Sequence, residues 1–444
     1  MKIAVLSLGC PKNQVDADVY CRALLAAGHQ TVATLPEADA IFVNTCGFIE
    51  SAKSEAIENI LAACALKKEK PALKVIVTGC LAQRYQSEIS AEIPEVDAVV
   101  GIGSNAALPD ILEQLMQKQG GPPLACCGPQ RDLPLGGPRV IGTPRHYAWL
   151  KIAEGCSNCC SYCAIPQIRG PFRSRPMEDC LAEAEWLAAQ DVKELVLVAQ
   201  DVTAYGDDLG ENQLPALLDA LEKIEGIRWI RLLYAYPERI NKALADAMLR
   251  NKKVLPYLDI PIQHCDDEIL RSMRRKGDND TIRKAISLLR GSMPEITLRT
   301  TLIAGYPGET EQQFADLCAF VKEVKFDRLG CFAYSPEEGT AAAELPAQLP
   351  PEERERRAEI IMQTQSGIAL EKQQAKIGQT LEVLCDEYDP EDDVWLCRSA
   401  ADAPEIDGYV ILPGDAPLTA GEYYTVSVTD ADIYDLYATM EKPS

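Results

Sequence analysis

Three regularly spaced cysteines lie in the middle of the chain, in residues 155–163 (GCSNCCSYC). Cys156, Cys160 and Cys163 form a C-x3-C-x2-C pattern. Three thiolates from one short loop suit a cubane iron–sulfur cluster that keeps one iron free of protein. A structural zinc site needs a fourth ligand, and the loop offers only Cys159, from a sterically poor position. A disulfide is disfavoured because the apolar start of the chain is predicted to be a strand and not a secretory signal. The pattern therefore predicts an iron–sulfur cluster.

Three further cysteines share one position relative to strand-like runs. Each follows a short apolar run and has a glycine beside it, which allows close approach of the backbone. They are Cys10, Cys46 and Cys80, next to Gly9, Gly47 and Gly79. Carboxyl ends of parallel strands meet at the edge where open α/β sheets bind ligands, so we expect these thiols to lie together. Cysteine is also a small buried hydrophobe, which is our interpretation of Cys21 and Cys64 in predicted helices. For the triplet, a second three-thiol cluster is the better interpretation.

The elements that must position this second triplet alternate between strand and helix in residues 1–118. Runs such as 3–8 and 41–43 are apolar and β-rich, and predicted helices follow them. This alternation predicts an α/β domain with a doubly wound parallel sheet and helices on both faces. Residues 119–145 are rich in Gly and Pro and are predicted to be a linker with little regular structure. We interpret Cys126 and Cys127 in this linker as ordinary exposed thiols.

Residues 146–375, which contain the central loop, repeat a strand–helix unit six times. The predicted strands are residues 147–152, 195–200, 230–234, 258–261, 297–304 and 329–334. Eight such units close a TIM barrel. Six units therefore predict an open, partial TIM barrel whose interior a macromolecular substrate can reach.

Polar motifs follow the predicted barrel strands, at the ends where βα barrels hold their chemistry. Gln200 ends the second strand, Gln263 and His264 follow the fourth, and residues 305–309 (GYPGE) follow the fifth. Each alone is compatible with a capped turn, and His264 with a simple turn residue. As a set facing the central loop they predict contacts with a cofactor. The candidate cofactor-binding residues are Tyr162, Gln200, Gln263, Gly305, Gly308 and Glu309.

In residues 376–444 the hydrophobic period changes to two. Short alternating runs separated by Asp-Gly and Pro-Gly turn signals predict a small antiparallel β barrel. Residues 377–444 contain sixteen Asp or Glu and two basic residues. A domain that holds tRNA would offer Lys, Arg and aromatic side chains, so we expect no direct tRNA grip here. The acidic surface either docks a basic protein or only keeps the chain soluble.

Composition limits the classes of function. A chain of 444 residues suggests about three domains. Seventeen cysteines indicate metal and redox chemistry, and three histidines give little support to His-rich metal sites or Ser-His-Asp hydrolysis. The net charge of −23 argues against sequence-independent binding of phosphates and permits basic protein partners. No apolar run reaches membrane-spanning length, so we expect no membrane association and a cytoplasmic location.

The central loop, with Tyr162 before its last cysteine, resembles the radical S-adenosylmethionine superfamily, and the whole chain resembles the methylthiotransferases of that superfamily. The resemblance implies a methylthiotransferase amino-terminal domain in residues 1–118, a linker in 119–145, a radical core in 146–375 and a TRAM domain in 376–444. It implies two 4Fe–4S clusters, with S-adenosylmethionine bound at the radical-generating one. The implied ligands are Cys10, Cys46 and Cys80 for the auxiliary cluster, and Cys156, Cys160 and Cys163 for the catalytic one.

Two motifs resemble the branch that modifies protein S twelve of the small ribosomal subunit. One is residues 8–16 (LGCPKNQVD), where tRNA-modifying relatives more often carry Gln-Met-Asn after the cysteine. The other is Arg398-Ser399 with residues 403–408 (APEIDG). The sequence departs from the branch at Ala17-Asp18, where Ser-Glu is usual, and at Cys397, where Gly is usual.

The implied reaction adds a methylthio group to the β-carbon of an aspartate, on the free ribosomal protein or on the small subunit. One S-adenosylmethionine supplies the radical and another the methyl group, and a flavodoxin- or ferredoxin-type donor supplies electrons. A tRNA adenosine methylthiotransferase and a non-enzymatic iron–sulfur electron-transfer or assembly protein stay open as alternatives. The six βα units count against the second, because an electron carrier needs no open barrel with a polar rim.

Overall fold

The first unit is a six-stranded parallel sheet in the computed structural model, which describes residues 1–118 and 120–441. In chain order its elements are β1 (Lys2–Ser7), α1 (Pro11–Ala26), β2 (Gln30–Thr31), β3 (Ala40–Thr45), α2 (Glu50–Ala65), β4 (Lys74–Gly79), α3 (Cys80–Arg84), α4 (Gln86–Glu92), β5 (Ala98–Gly101), α5 (Leu108–Gln117) and β6 (Leu124–Cys126). The strand order is β2-β1-β3-β4-β5-β6. Helices α2 and α4 cover one face, and α1 and α5 cover the other. The predicted doubly wound sheet is confirmed.

The predicted linker contributes to this sheet. Strand β6 lies within residues 119–145 and pairs in parallel with β5. Its three residues, Leu-Ala-Cys, are too few to show a strand period among the surrounding glycines and prolines. Cys126 is therefore a half-buried strand residue, whereas Cys127 is exposed as expected.

The second unit is the partial barrel. Its elements are β7 (Tyr147–Lys151), β8 (Ala153–Glu154), α6 (Ile165–Arg169), β9 (Arg173–Ser174), α7 (Met177–Ala189), β10 (Glu194–Val198), α8 (Leu214–Leu221), β11 (Trp229–Leu232), α9 (Lys242–Arg250), β12 (Val254–Asp259), α10 (Asp267–Ser272), α11 (Asn279–Ser292), β13 (Thr297–Ala304), α12 (Glu311–Val324), β14 (Arg328–Ala333) and α13 (Pro351–Gln374). Six strands pair in parallel in the order β7-β10-β11-β12-β13-β14, with β7 and β14 at the edges. The open six-unit barrel is confirmed.

Helix α13 packs against β14 and leads to the last unit. Its sequence predicts a solvated acid–base helix, but Arg357 is buried and lies 2.8 Å from the Glu309 carboxylate. Arg356, one position earlier, is half exposed and pairs with Glu353 on the helix surface. Within the part of the chain that the structure describes, no helix is both long and apolar enough to cross a bilayer.

The third unit is a closed five-stranded barrel. Its strands are β15 (Thr380–Asp389), β16 (Val394–Ser399), β17 (Val410–Pro413), β18 (Tyr423–Ala431) and β19 (Leu436–Met440), in the order β15-β16-β17-β19-β18. All pairings are antiparallel except that of β17 with β19, which is parallel. The predicted small β barrel is confirmed. Cys397 lies inside it, fully buried opposite Cys385.

The end of β16 and the loop after it contact barrel strands of the second unit. Arg398 donates to Glu194 Oε2 at 2.6 Å, and Arg231 donates to the other oxygen of Glu194 at 2.8 Å. Arg328 donates to Asp402 at 2.5 Å. We call this contact the joint; it comprises Glu194, Arg231, Tyr257 and Arg328 of the partial barrel with Arg398, Ala400, Asp402 and Asp407. The Arg398-Ser399 motif thus lies at a boundary between units and not on a free surface.

Candidate metal centre

The amino-terminal cysteines are gathered at one edge of the first sheet. Cys10, Cys46 and Cys80 follow β1, β3 and β4, which are adjacent strands. A Cβ added to Gly9, at φ +109°, would lie 2.9 Å from the Cβ of Cys46. At Gly79, with φ +97°, it would lie 2.3 Å from the carbonyl oxygen of Thr45. Glycine is therefore required at these two positions for the strand ends to approach so closely.

Burial sets the acidity of these thiols. Burial raises the pKa of Cys80 to about 12, although the Arg169 guanidinium lies 3.4 Å from its Sγ and lowers it. Burial likewise raises the pKa of Cys46. All three are free thiols. Buried thiols become thiolates when a metal supplies the positive charge, so this donor set fits a cubane in which each thiolate binds one iron.

The central cysteines lie in the loop between β8 and α6. The Cys156 amide donates to the carbonyl of Gly170 at 3.0 Å, and the Cys163 amide donates to the carbonyl of Cys160 at 3.1 Å. Cys156 and Cys160 are buried and Cys163 is half-buried. Burial raises the pKa of the Cys156 thiol to about 11. These backbone hydrogen bonds hold the three thiols of the motif in a compact, shielded loop.

The remaining thiol of the loop is placed differently. Cys159 is exposed and has a left-handed backbone with φ of 54°. In residues 1–118 and 120–441, no three His, Cys, Asp or Glu side chains converge on a single ion. The ligands of a cubane bind separate irons and need not converge in this way. The geometry therefore favours the three motif cysteines as one donor set, without Cys159.

The two triplets lie on either side of the boundary between the first sheet and the partial barrel. Cys80 shares a buried apolar cluster with Ala164 and Ile168, which follow Cys163 by one and five positions. The first triplet thus packs against the segment that follows the second. Both donor sets therefore lie close to this boundary.

Four buried charges join the two units at this boundary. Lys151 Nζ lies 2.5 Å from Asp16 and 3.0 Å from Glu154, and Arg169 lies 2.9 Å from each of the same carboxylates. Burial by itself would raise the pKa of Glu154, but Arg169 and Lys151 lower it below its ordinary value. We call these residues the charge network. With two cations and two anions it has no net charge, and it fixes α1 against the central loop.

Two of the predicted cofactor-binding residues have features that are typical of a ligand site. Gln200 follows β10, and its Nε2 and Oε1 are both shielded from solvent and have no hydrogen-bond partner in the part of the chain that the structure describes. Gln263 follows β12 and has φ of 71°, a strained conformation for a residue other than glycine. Tyr162 packs beside Tyr306, and burial and the nearby Cys160 raise its pKa. Gln200 and Gln263 follow barrel strands, and Tyr162 lies in the central loop.

The turn after β13 is held together by its own residues. Glu309 Oε2 accepts a hydrogen bond from the Gly305 amide at 2.8 Å, and Oε1 lies 2.8 Å from Arg357. Gly308 has open space where a side chain would be. His264 is buried, and its Nδ1 accepts a hydrogen bond from the backbone amide of Asp266. For Glu309 and His264 this geometry favours the turn interpretation over direct contact with a cofactor.

Sequence reasoning missed the charged residues at the boundary. Lys12 and Asp16 lie in the 8–16 motif but were interpreted only through its resemblance. Glu154 precedes the central motif by two positions, and Arg169 follows it by six. These short separations from the cysteine motif are a signal in the sequence that could identify both residues. Asp16, the partner of Arg169, belongs to another unit, so this ion pair cannot be predicted without knowing how the two units pack together.

Three family profiles match successive parts of the chain. Residues 2–101 match the uncharacterized protein family UPF0004, residues 150–321 the radical SAM superfamily, and residues 377–440 the TRAM domain. Among solved structures, the radical S-adenosylmethionine methyltransferase TsrM from Kitasatospora setae is similar, with a TM-score of 0.57 and 13% identity over 77% of this chain and 76% of that chain. At that identity the similarity concerns the fold alone.

Two curated relatives are similar over almost the entire chain. The ribosomal protein uS12 methylthiotransferase RimO of Desulfitobacterium hafniense (strain Y51) is 46% identical over 439 residues, which cover 98% of this chain and 97% of that protein. The protein of the same name from Clostridioides difficile (strain 630) is also 46% identical over 439 residues, which cover 98% of each.

Proposed function

Because this chain belongs to the uS12 methylthiotransferases of the radical S-adenosylmethionine superfamily, we propose that it adds a methylthio group to the β-carbon of an aspartate of ribosomal protein uS12. The observation that carries this proposal is the 46% identity to RimO proteins over nearly full length. These relatives do not favour the tRNA-modifying or electron-carrier alternatives. The enzyme is a transferase of a sulfur-containing group.

The reaction calls for radical chemistry, because the β C–H bond of an aspartate is unactivated and acid–base catalysis does not easily break it. When bound, an iron–sulfur cluster and S-adenosylmethionine supply a carbon radical that can remove such a hydrogen. The protein's part is to hold the reactants in line and to keep water out. The buried apolar contact of Cys80 with Ala164 and Ile168 serves the second purpose.

We propose that two 4Fe–4S clusters are held, one by each triplet. Cys156, Cys160 and Cys163 would hold the cluster that binds S-adenosylmethionine, and Cys10, Cys46 and Cys80 the auxiliary one. The support is that each triplet consists of free, shielded or half-shielded thiols held by a rigid backbone. Tyr162, Gln200 and Gln263 are the proposed cofactor neighbours, and Gln200 is the best supported because its amide has no hydrogen-bond partner among the described residues.

The surroundings of the reaction are proposed from the same family relationship. The substrate is uS12, free or within the small subunit, and the reaction takes place in the cytoplasm. The reductant is an external carrier of the flavodoxin or ferredoxin type. The charge network keeps the two triplets in fixed relative positions while these partners bind.

The test uses the full chain, reconstituted with iron and sulfide under anaerobic conditions. With S-adenosylmethionine, a reductant and uS12, we expect 5′-deoxyadenosine and methylthio-aspartate by mass spectrometry, and about eight irons per chain. Alanine at the three central cysteines should leave about four irons and abolish cleavage of S-adenosylmethionine.

Alanine at the three amino-terminal cysteines should also leave about four irons, but cleavage should continue without sulfur insertion. Cys159→Ala, from the same loop, is the control and should keep about eight irons. Modification of tRNA in place of uS12, or full iron content in the first triple variant, would contradict the proposal.

A further inference from the structure

Lys12 is a buried cation without an anionic partner. It is 6% exposed, and in residues 1–118 and 120–441 no carboxylate lies within ion-pair distance of its ammonium group. Its Nζ instead lies 3.4 Å from the carbonyl oxygen of Ala199 and 3.6 Å from the centre of the Tyr234 ring. Both contacts are with the partial barrel, so this side chain of the first unit crosses the boundary between the two units.

Every other buried lysine or arginine in the described ranges has a carboxylate partner. These are Arg139, Lys151, Arg169, Arg175, Arg231, Arg275, Arg328, Arg357 and Arg398. A buried charge is costly unless it is paired. Lys12 also lies in the first turn of α1, where the helix dipole disfavours a cation. An anion that is not part of this chain is the natural partner.

The surroundings of Lys12 are those of a binding site. Ala199 is followed by Gln200, whose amide nitrogen and oxygen are shielded and have no hydrogen-bond partner among residues 1–118 and 120–441. Tyr234 has φ of 63°, and strained backbone of this kind concentrates at functional sites. Cys10, Gln200 and Tyr234 are half-buried, so part of each residue is accessible to solvent. A cation and an aromatic face therefore meet at the carboxyl ends of β10 and β11, and the unpartnered amide of Gln200 belongs to the residue next to Ala199.

The nearby buried carboxylates have other partners. Asp201 accepts hydrogen bonds from Thr203 and Asn158. Asp259 pairs with Arg299 at 3.0 Å. The guanidinium that contacts an amino-terminal thiol belongs to Arg169, at 3.4 Å from Cys80 Sγ. Within residues 1–118 and 120–441, the ammonium of Lys12 therefore contacts a carbonyl oxygen and an aromatic ring but has no carboxylate partner.

We propose that Lys12 binds the side-chain carboxylate of the substrate aspartate, with Gln200 donating to or accepting from the same residue. This inference rests on the proposed function. The β-carbon of an aspartate is bonded directly to its carboxyl carbon, so holding the carboxylate fixes the C–H bond that reacts. A charge-assisted hydrogen bond also distinguishes aspartate from asparagine at the site.

The experiment compares Lys12→Met and Lys12→Arg with wild type, as the reconstituted full chain. The substrates are two uS12-derived peptides, one with the target aspartate and one with asparagine in its place. For wild type we expect the Kd of the asparagine peptide to exceed that of the aspartate peptide about 10- to 100-fold, the range for one hydrogen bond to a charged group. For Lys12→Met we expect the two Kd values to agree within about threefold, and Lys12→Arg should restore part of the difference.

Three readouts separate this role from others. Iron content, the spectrum of the reduced clusters and the Kd of S-adenosylmethionine should be unchanged in Lys12→Met. Its thermal midpoint should be unchanged or higher, because an unpaired buried charge has been removed. Lys70→Met removes a lysine of the same unit whose ion pair with Asp39 is half exposed, and it should change none of these quantities.

The possible failures are distinct. If Lys12→Met still prefers the aspartate peptide by the wild-type factor, or loses iron or affinity for S-adenosylmethionine, the inference is overturned. A lower thermal midpoint with unchanged peptide preference would give Lys12 a structural role and overturn it as well. If wild type forms no methylthio-aspartate on uS12, the proposed function itself fails.

Discussion

Replacing Arg398 by methionine tests how the third unit is attached. The guanidinium is 1% exposed and lies 2.6 and 2.9 Å from the two oxygens of Asp386 and 2.6 Å from Glu194. Arg398→Met removes the cation and leaves Glu194 buried and Asp386 half-buried. Glu194 keeps Arg231 and Asp386 keeps His146, each at 2.8 Å, so neither becomes entirely unpaired.

Breaking a buried ion pair by removing one partner costs about 3–5 kcal/mol. Because each carboxylate keeps one partner, we expect the lower end, about 3 kcal/mol, which is about a 100-fold change in an opening equilibrium. The assay is hydrogen–deuterium exchange of the full chain, read in peptides that cover β16, the following loop and β17. Amides in this segment should exchange about 100-fold faster in the variant.

The matched control is Arg228→Met. Arg228 also joins the partial barrel to the third unit, through Glu382, but these side chains are 51% and 42% exposed. An exposed pair contributes about 0–1 kcal/mol, so exchange in the control should change at most about fivefold. If Arg398→Met accelerated exchange no more than Arg228→Met, the joint would not depend on its buried charges.

The remaining predictions concern the core of the third unit, its buried carboxylates and its acidic loop. Serine at Cys126, Cys127 or Cys159 should leave activity mostly intact. Cys397→Ser should lower the free energy of urea unfolding by about 1–3 kcal/mol, because it places a hydroxyl in the barrel core. An unchanged urea midpoint would contradict this. Burial would raise the pKa of Glu194, Asp386 and Asp402, but their arginine partners lower it. The stabilisation from these ion pairs is thus complete above the ordinary carboxyl pKa of about 4 and is lost as the pH falls through the lowered pKa values of the folded state. The urea midpoint should therefore be constant from about pH 7 to 5 and fall below about pH 4. A midpoint that stays constant at lower pH would refute this prediction. Asp392→Asn with Asp393→Asn in the full chain should weaken uS12 binding a few-fold at low salt and reduce its salt dependence, whereas the exposed Glu295→Gln should not; equal effects would leave the acidic loop only a solvated surface.

Strand period and turn chemistry are sufficient to predict the three units and the type of sheet or barrel in each. The apolar runs before Cys10, Cys46 and Cys80 placed these residues at one sheet edge, and the six βα repeats predicted an open barrel. These features depend on local sequence, which is why the sequence contains them. The domain boundaries and the ligand roles of the cysteines stay predictions.

Contacts between units could not be read from the sequence. Asp386 belongs to an acidic stretch that predicts a docking surface, but it is half-buried and paired with Arg398 and His146. Cys397 departs from the family pattern at a position that the sequence assigns to a motif, and it is a core residue of the third unit. His146 comes from another unit, 240 residues before Asp386, and Cys397 is buried by the closure of the whole barrel, so only the folded structure identifies these contacts.

The charge network can form only after the ribosome has synthesised residues from both units. The first unit leaves the ribosome before the residues that pair with it, so Asp16 has no ion-pair partner until Lys151 and Arg169 have been synthesised. Until then Cys80 lacks the cover that Ala164 and Ile168 provide. The early chain therefore passes through a period in which its thiols are open both to metal delivery and to oxidation. Docking of the second unit ends that period.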